Sequence, residues 1–246
     1  MEPHIMKEQV EYVINKIENS KLETYPYPYL EIENIFQEDF YSEILKNIPQ
    51  NRGLYKQLSK KYHNRYVLEL GFGENINAAI PNLKLDNQTQ NVFWKEFQKH
   101  FILNNGLSAC VKQKYRDYID ERRAQVGKIN CRLSRDEDGY SIGVHRDRKD
   151  KLFSVLFYLP EKDEEHLRIN CGTEILIPKG SFEHDDKHYD YNPDGSHDLF
   201  DIYRTVEFLP NKMFSWCVVQ NSYHGVSPIK IDGYRDSLAY FLKSKG

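Results

Sequence analysis

The sequence has few cysteines, no long apolar run and no signal-peptide pattern. Four cysteines are spread over 246 residues without a Cys-x-x-Cys pair, which suits reduced thiols better than a disulfide scaffold or a zinc site. No apolar run approaches the roughly 18 residues of a membrane span, and the first residues lack the layout of a signal peptide. We therefore expect a cytoplasmic protein without a membrane partner.

Neither sign of charge dominates the chain. Lys and Arg number 34 against 37 Asp and Glu, for a formal net charge of −3. Without a basic surplus, nucleic acid is disfavoured as a partner. Aromatic residues make up 13% of the chain, including 18 Tyr and 13 Phe, so material for a folded core is present.

The first 126 residues predict a mainly helical region that belongs to the same domain as the rest. Apolar residues at Val10, Val13 and Ile17 recur at helical spacing and predict an amphipathic helix over 3–20. Two prolines before residue 29 exclude a helix there, and one strand is predicted near 28–34. Further helices are predicted over 37–48, 89–103 and 106–125.

From residue 127 onward the pattern changes to short β-rich runs separated by turn signals such as Asp138-Gly139 and Asp232-Gly233. Strands are predicted over 128–134, 152–159, 173–177, 202–208, 213–219, 224–229 and 234–242. Many short strands with little helix between them are typical of a sandwich, barrel or jelly roll. We predict an α+β protein in which the helical region packs against a jelly roll of residues 127–246.

One group of residues carries a recognisable chemistry. His145 and Asp147 are two apart on an extended segment, so their side chains point to the same face. His224 is a candidate third ligand, and two His with one carboxylate suit a non-haem Fe(II) oxygenase. Arg235 and Ser237 again share a strand face and suit a carboxylate. The turn at Asp232-Gly233 predicts a hairpin that folds the strand of His224 back onto that of Arg235.

This ordered set resembles the 2-oxoglutarate/Fe(II)-dependent dioxygenase superfamily, in its bacterial or phage, prolyl-hydroxylase-like form. The runs Lys151–Pro160, Cys171–Leu176 and Phe208–Trp216 resemble the strands that surround the site in that family. The resemblance implies a double-stranded β-helix (a cupin-like jelly roll) as the catalytic core over 127–246. It also implies hydroxylation of a substrate C–H bond, coupled to decarboxylation of 2-oxoglutarate to succinate and CO₂.

The resemblance also implies roles for single residues. His145, Asp147 and His224 would bind Fe(II), while Arg235 and Ser237 would hold the distal carboxylate of 2-oxoglutarate, with O₂ as the further cosubstrate. Tyr158 and Arg132 are additional candidates for the cosubstrate pocket, and Tyr140 is a third residue near it. Because Asp147 keeps the carboxylate ligand, halogenation is disfavoured. A small-molecule substrate is favoured, with a protein side chain as the other option.

Two other functions remain open at this point. The first is a jelly-roll binding module that does not turn over. The second is an S-adenosylmethionine-dependent methyltransferase whose nucleotide loop would be Gly71-x-Gly73, although Asn75 replaces the usual third glycine and Pro81 comes early for the following helix.

Two polar segments have alternative interpretations. Residues 179–201 are predicted to form a polar insertion over the mouth of the jelly roll. They contain a partial calcium-loop pattern at Asp190, Asn192, Asp194 and Gly195. His184, His188 and His197 make a second metal site another alternative. A basic cluster surrounds the His-x-Asp motif; it is either a solvated face or a feature that favours an anionic substrate. The cluster consists of Arg146, Arg148, Lys149 and Lys151.

Overall fold

A computed structural model describes residues 3–58, 63–73, 85–120, 126–180 and 199–244. Its helices are α1 (Pro3–Glu18), α2 (Glu38–Lys46), α3 (Gln88–Phe97), α4 (Gly106–Lys114) and α5 (Glu165–Asn170), with a π-helical turn at Gln98–Ile102 and 3₁₀ turns at Arg52–Leu54 and Arg116–Tyr118. Its strands are β1 (Tyr29–Ile32), β2 (Lys56–Gln57), β3 (Arg65–Gly73), β4 (Val126–Asp136), β5 (Ile142–His145), β6 (Lys151–Tyr158), β7 (Thr173–Pro178), β8 (Phe200–Val206), β9 (Lys212–Cys217), β10 (His224–Val226) and β11 (Arg235–Ser244). None of these helices is long and apolar enough to cross a membrane.

The strands form two antiparallel sheets. The major sheet has the order β1-β9-β6-β11-β4-β3-β2, and the minor sheet has the order β5-β10-β7-β8. Several neighbours in these orders, such as β1 and β9, β6 and β11, or β5 and β10, are distant in sequence, as expected for a jelly roll rather than a simple meander. The mixture of helices with antiparallel sheets confirms the predicted α+β class.

Strand alternation gives the major sheet two different faces. On β11, Leu238, Tyr240 and Leu242 join the core beneath the helices, whereas Arg235 and Ser237 line a cavity on the other face. Strands β4 and β6 alternate in the same way, because side chains at odd and even positions of a strand point to opposite sides. The helices therefore cover one face of the sheet and leave the other face for polar residues.

The helical layer is built as its sequence pattern predicts. Val10, Val13 and Ile17 are buried on one face of α1. Phe97 and Phe101 stack with ring centroids 4.4 Å apart where α3 continues into the π-helical turn. The helices predicted over 3–20, 37–48 and 89–103 are confirmed with small shifts at their ends. The helix predicted over 106–125 ends at Lys114, and its positions 121–125 lie outside the described residues.

Among the described residues before β4 there are three strands, not the single strand predicted. Strand β3 pairs antiparallel with β4 along nearly its whole length. Its two glycines obscured it in the sequence, yet Gly71 serves close packing, since a Cβ there would lie 2.9 Å from Ile102. Gly71 and Gly73 lie within a strand of an antiparallel sheet, so the methyltransferase loop is wrong; Asn75 and Pro81 lie outside the described residues.

The predicted hairpin between the strands of His224 and Arg235 is also wrong. Strand β10 pairs with β5 and β7 of the minor sheet, whereas β11 pairs with β4 and β6 of the major sheet. The turn at Gly233, with φ of +116°, belongs to a connection that crosses from one sheet to the other. The two motifs therefore face each other across the sandwich instead of lying side by side.

The polar insertion predicted over 179–201 falls mostly outside the described residues, which stop at 180 and resume at 199. Its calcium-loop positions Asp190, Asn192, Asp194 and Gly195 and the histidines at 184, 188 and 197 lie there. These alternatives stay predictions.

Candidate metal centre and cosubstrate pocket

Two histidines meet across one pair of strands. His145 ends β5 and His224 begins β10, and the two residues are directly opposite each other in the antiparallel register. Residues that are opposite in such a pair carry their side chains on the same face. Their ring centroids are 4.2 Å apart. Pairing of β5 with β10 thus brings two imidazoles side by side although they are about eighty residues apart in the sequence.

The backbone fixes the orientation of both rings. Nδ1 of His145 lies 2.8 Å from the carbonyl oxygen of Gly143, and Nδ1 of His224 lies 3.0 Å from that of Ser222. A neutral imidazole that donates its Nδ1 proton to a carbonyl keeps Nε2 as an acceptor. Each ring therefore offers Nε2 to a metal ion, and the hydrogen bond on its far side holds the ring in place.

Asp147 lies two residues beyond β5 and completes the group. Its Oδ2 accepts a hydrogen bond from Ser154 Oγ at 2.6 Å, and its Oδ1 is 2.5 Å from Lys151 Nζ. Burial acts to raise the pKa of the Asp147 carboxyl, but the charge and the hydrogen bond of Lys151 outweigh it, so this pKa lies below its ordinary value. The side chain is an oriented carboxylate.

The donor atoms of His145, Asp147 and His224 all lie within 4.8 Å of one another. Burial, together with the neighbouring His145, lowers the pKa of His224 to about 3, so this ring stays neutral and available as a ligand. Two imidazoles and one carboxylate on one side of a cavity are a donor set that fits Fe(II) and leaves other coordination positions open. The residues present fit the metal that the motif implies.

Arg235 lies at the start of β11 in a buried polar pocket. Its Nε donates to the carbonyl oxygen of Cys171 at 2.6 Å, and its Nη1 donates to Asp136 Oδ2 at 2.9 Å. Asp136 also accepts two hydrogen bonds from Arg65, at 2.6 and 2.8 Å. One carboxylate is thus shared by two guanidinium groups, and the pocket keeps a net positive charge that suits the carboxylate of a ligand.

The other residues predicted for the cosubstrate pocket fall into two groups. Ser237 and Arg132 line the same cavity as the three candidate ligands. Tyr158 is fully buried and supports the pocket from behind: its hydroxyl donates to Thr173 Oγ1 at 2.7 Å, and Thr173 in turn accepts from Arg235 Nη2 at 3.4 Å. Tyr140 is also buried, with the Arg65 guanidinium 4.1 Å above its ring.

A single cavity joins the metal centre to the arginine pocket. Its volume is about 370 Å³, and its walls include the candidate ligands as well as Arg235 and Ser237. Trp216 forms part of the wall beside His224, with ring centroids 4.4 Å apart. The indole Nε1–H of Trp216 is buried without a hydrogen-bond partner in the described residues, so it is a donor available to a ligand.

Several residues of the site were missed in the sequence. Lys151 was assigned to a basic cluster most simply explained as solvated, yet its side chain is buried against Asp147. Asp136 and Thr173 hold Arg235 from strands other than its own. Thr173 does lie in the Cys171-Gly-Thr run that resembled the family, and Lys151 begins another such run, so their neighbourhoods carried a signal. Trp216 likewise ends the Phe208–Trp216 run, whereas Asp136 carried no signal.

Comparison with solved structures finds this fold in a prolyl 4-hydroxylase from Pseudomonas putida, with a TM-score of 0.52 and 11% sequence identity over 96% of this chain and 99% of that one. The non-haem α-ketoglutarate-dependent epimerase SnoN from nogalamycin biosynthesis also has a TM-score of 0.52, at 9% identity over 96% of this chain and 83% of that one. No protein-family model matches the sequence, and comparison with curated proteins finds no match. The predicted double-stranded β-helix is thereby confirmed as the fold of this chain.

Proposed function

We propose that the protein is a 2-oxoglutarate- and Fe(II)-dependent oxygenase that hydroxylates an unactivated C–H bond of its substrate. The observation that carries the proposal is the cavity in which a buried His-Asp-His group and a buried arginine pocket face each other. Fold alone does not fix function, and this pairing of a metal site with a carboxylate site goes beyond the fold.

In this function His145, Asp147 and His224 hold the iron. When bound, the metal supplies the oxidising chemistry with O₂ and 2-oxoglutarate. The protein's own contribution is positioning: Gly143 and Ser222 carbonyls orient the two rings, and Ser154 orients the carboxylate. Such supporting hydrogen bonds are a large part of how a protein tunes a metal site.

The arginine pocket anchors the cosubstrate. Arg235 and Ser237 face the cavity from one strand and would bind the distal carboxylate, while Tyr158 and Thr173 keep the guanidinium in place. Arg65 and Asp136 set the charge of the pocket, so a dicarboxylate gains more there than a neutral molecule does. A small-molecule substrate is favoured, since the cavity is a concave site of ordinary ligand size.

The test is an anaerobic titration of the apo protein with Fe(II) and then with 2-oxoglutarate, followed by the visible metal-to-ligand charge-transfer band. We expect the band in the wild type and its loss in His145→Ala, with His166→Ala as a control at an exposed histidine. Oxygen is then admitted and succinate is measured.

Two results would count against the proposal in different ways. A metal-loaded protein that never shows the band has the wrong cosubstrate assigned. A protein that shows the band but forms no succinate with any substrate tested would be a jelly-roll binding protein that catalyses no reaction.

A further inference from the structure

Arg132 lies in the same cavity as Arg235 but at a different place along the sheet. It is opposite Ala239 of β11, whereas Arg235 is opposite Asp136, four residues further along β4. At about 3.3 Å per residue this separates the two positions by about 13 Å. The two arginines therefore enter the cavity at separate positions along the sheet.

The second position is close to the metal centre. Two cations lie near the ring of Phe241: the Arg132 guanidinium is 5.1 Å from its centroid, and Lys151 Nζ is 4.0 Å from it. Lys151 contacts the candidate ligand Asp147. The cavity thus runs from the Arg235 end to a metal end, and Arg132 lies on the wall at the metal end.

Arg132 carries unused hydrogen-bonding capacity. Its Nε is buried and has no hydrogen-bond partner among the residues that the structure describes. Glu69 is its cross-strand neighbour on β3, and Oε2 of Glu69 is also buried without a partner there. An unsatisfied buried donor costs about 1–3 kcal/mol, and such a group in a native protein calls for an explanation such as a ligand.

The charges of the cavity point in the same direction. Six cationic side chains line it, and Asp147 is the one carboxylate among its described lining residues; the cations are Arg65, Arg132, Arg146, Arg148, Lys151 and Arg235. Asp136 lies behind the cavity wall and forms ion pairs with Arg65 and Arg235, so its single negative charge offsets one of these two positive charges. The two carboxylates of 2-oxoglutarate would be matched by the metal and by Arg235. A positive surplus remains in the cavity as a whole, while Glu69 offsets the charge of Arg132 itself.

We propose that Arg132 binds an anionic group of the primary substrate, a carboxylate or a tetrahedral phosphate or sulfate, and thereby directs the substrate to the metal end of the cavity. This inference rests on the proposed function and makes its substrate class specific. It assigns Arg132 to the substrate instead of the cosubstrate. The guanidinium fork offers the parallel donors that carboxylates and phosphates accept.

The experiment measures anion binding with the cosubstrate pocket already filled. Protein loaded with Ni(II), which is redox-inert here, and saturating 2-oxoglutarate is titrated calorimetrically with sodium sulfate and, separately, sodium acetate, at constant ionic strength set with chloride. We expect saturable binding of at least one anion to the wild type, and binding weaker by at least about tenfold in Arg132→Gln. Preference for sulfate or for acetate distinguishes a tetrahedral group from a carboxylate.

Two variants control for charge and for folding. Arg168→Gln removes a cation that lies outside the lining of the cavity, where it pairs with Asp163, and should change anion binding by no more than about twofold. Arg132→Lys keeps the positive charge but removes the paired donors of the guanidinium group, and it should retain part of the anion binding. Both are checked for an unchanged unfolding midpoint.

Three results would overturn the inference. These are no saturable anion binding in the wild type, equal binding in Arg132→Gln, or loss of 2-oxoglutarate affinity in Arg132→Gln to the extent seen in Arg235→Gln. The last would make Arg132 a cosubstrate residue. If the wild type fails to form the Fe(II)–2-oxoglutarate band, the proposed function fails, while the difference in anion binding between wild type and Arg132→Gln in metal-loaded protein still decides the role of Arg132.

Discussion

Arg235 and Asp136 form an ion pair that is closed to solvent, with Nη1 and Oδ2 2.9 Å apart and the two side chains 1% and 0% exposed. The pair joins β11 to β4 at the end of the cavity remote from the metal. Asp136 also forms an ion pair with Arg65. The arrangement holds the Arg235 guanidinium in one orientation without neutralising the pocket, as a site for a carboxylate ligand requires.

Replacing Arg235 should damage cosubstrate binding. We expect Arg235→Gln to raise the KM for 2-oxoglutarate by on the order of 30-fold or more, since truncating one partner of a buried charged hydrogen bond costs about 2–4 kcal/mol. The measurement is succinate formation against 2-oxoglutarate concentration.

Arg135→Gln is a matched control for Arg235→Gln. Arg135 is equally buried and pairs with Asp236 on the same two strands, but its side chain points to the opposite face. It should lower the unfolding midpoint similarly and leave the KM for 2-oxoglutarate near the wild-type value. An equal rise in KM in both variants would show that the effect is structural.

The carboxylate ligand and its support should give graded losses of metal affinity. Ser154→Ala removes one hydrogen bond to Asp147 and should weaken Fe(II) binding by about 10- to 100-fold. Asp147→Asn removes the charge itself and should weaken binding further. Calorimetric titration under anaerobic conditions measures both, with Asp150→Asn as a nearby control. Unchanged affinity in Asp147→Asn would remove this residue from the ligand set.

Lys151 should stabilise the metal-free protein at the expense of metal affinity. Its ammonium compensates the Asp147 carboxylate, and breaking a buried pair from one side costs about 3–5 kcal/mol. We expect Lys151→Met to lower the midpoint of thermal unfolding without metal, and to show a larger rise on adding Ni(II) than the wild type. Lys243→Met, which alters a partly exposed pair with Asp150, should do neither. A smaller metal-induced rise in Lys151→Met would contradict this account.

The four cysteines should be unreactive in the native protein. All four are buried and free, and burial raises the pKa of Cys110 to about 11, so little reactive thiolate is present near pH 8. We expect Ellman's reagent to label all four in urea and almost none in the native state. Ile169→Cys, at a side chain that is 58% exposed, should add one fast-reacting thiol. Rapid native labelling of the wild type would show that the core opens.

The sequence predicted His145 and Asp147 as candidate metal ligands because their signal is local. His145 and Asp147 share a face by strand alternation, and Arg235 and Ser237 do so for the same reason. The helices over 3–20 and 37–48 were also predictable, because an apolar stripe at helical spacing marks the buried face wherever the helix packs. Strand β3 was not, since its glycines resemble a loop until the packing of Ile102 against Gly71 is known.

Only the tertiary structure decided how these parts meet. The order and spacing of the motifs identified the candidate ligands. The chain crosses between the two sheets instead of forming a hairpin, and this crossing places the Arg235 pocket across the cavity from the candidate metal centre. Asp136, Thr173, Lys151 and Trp216 joined the site through strand neighbours far away in sequence. Their roles depend on which strands pair and in which register, and these are set by burial of the whole sheet rather than by any short run of residues.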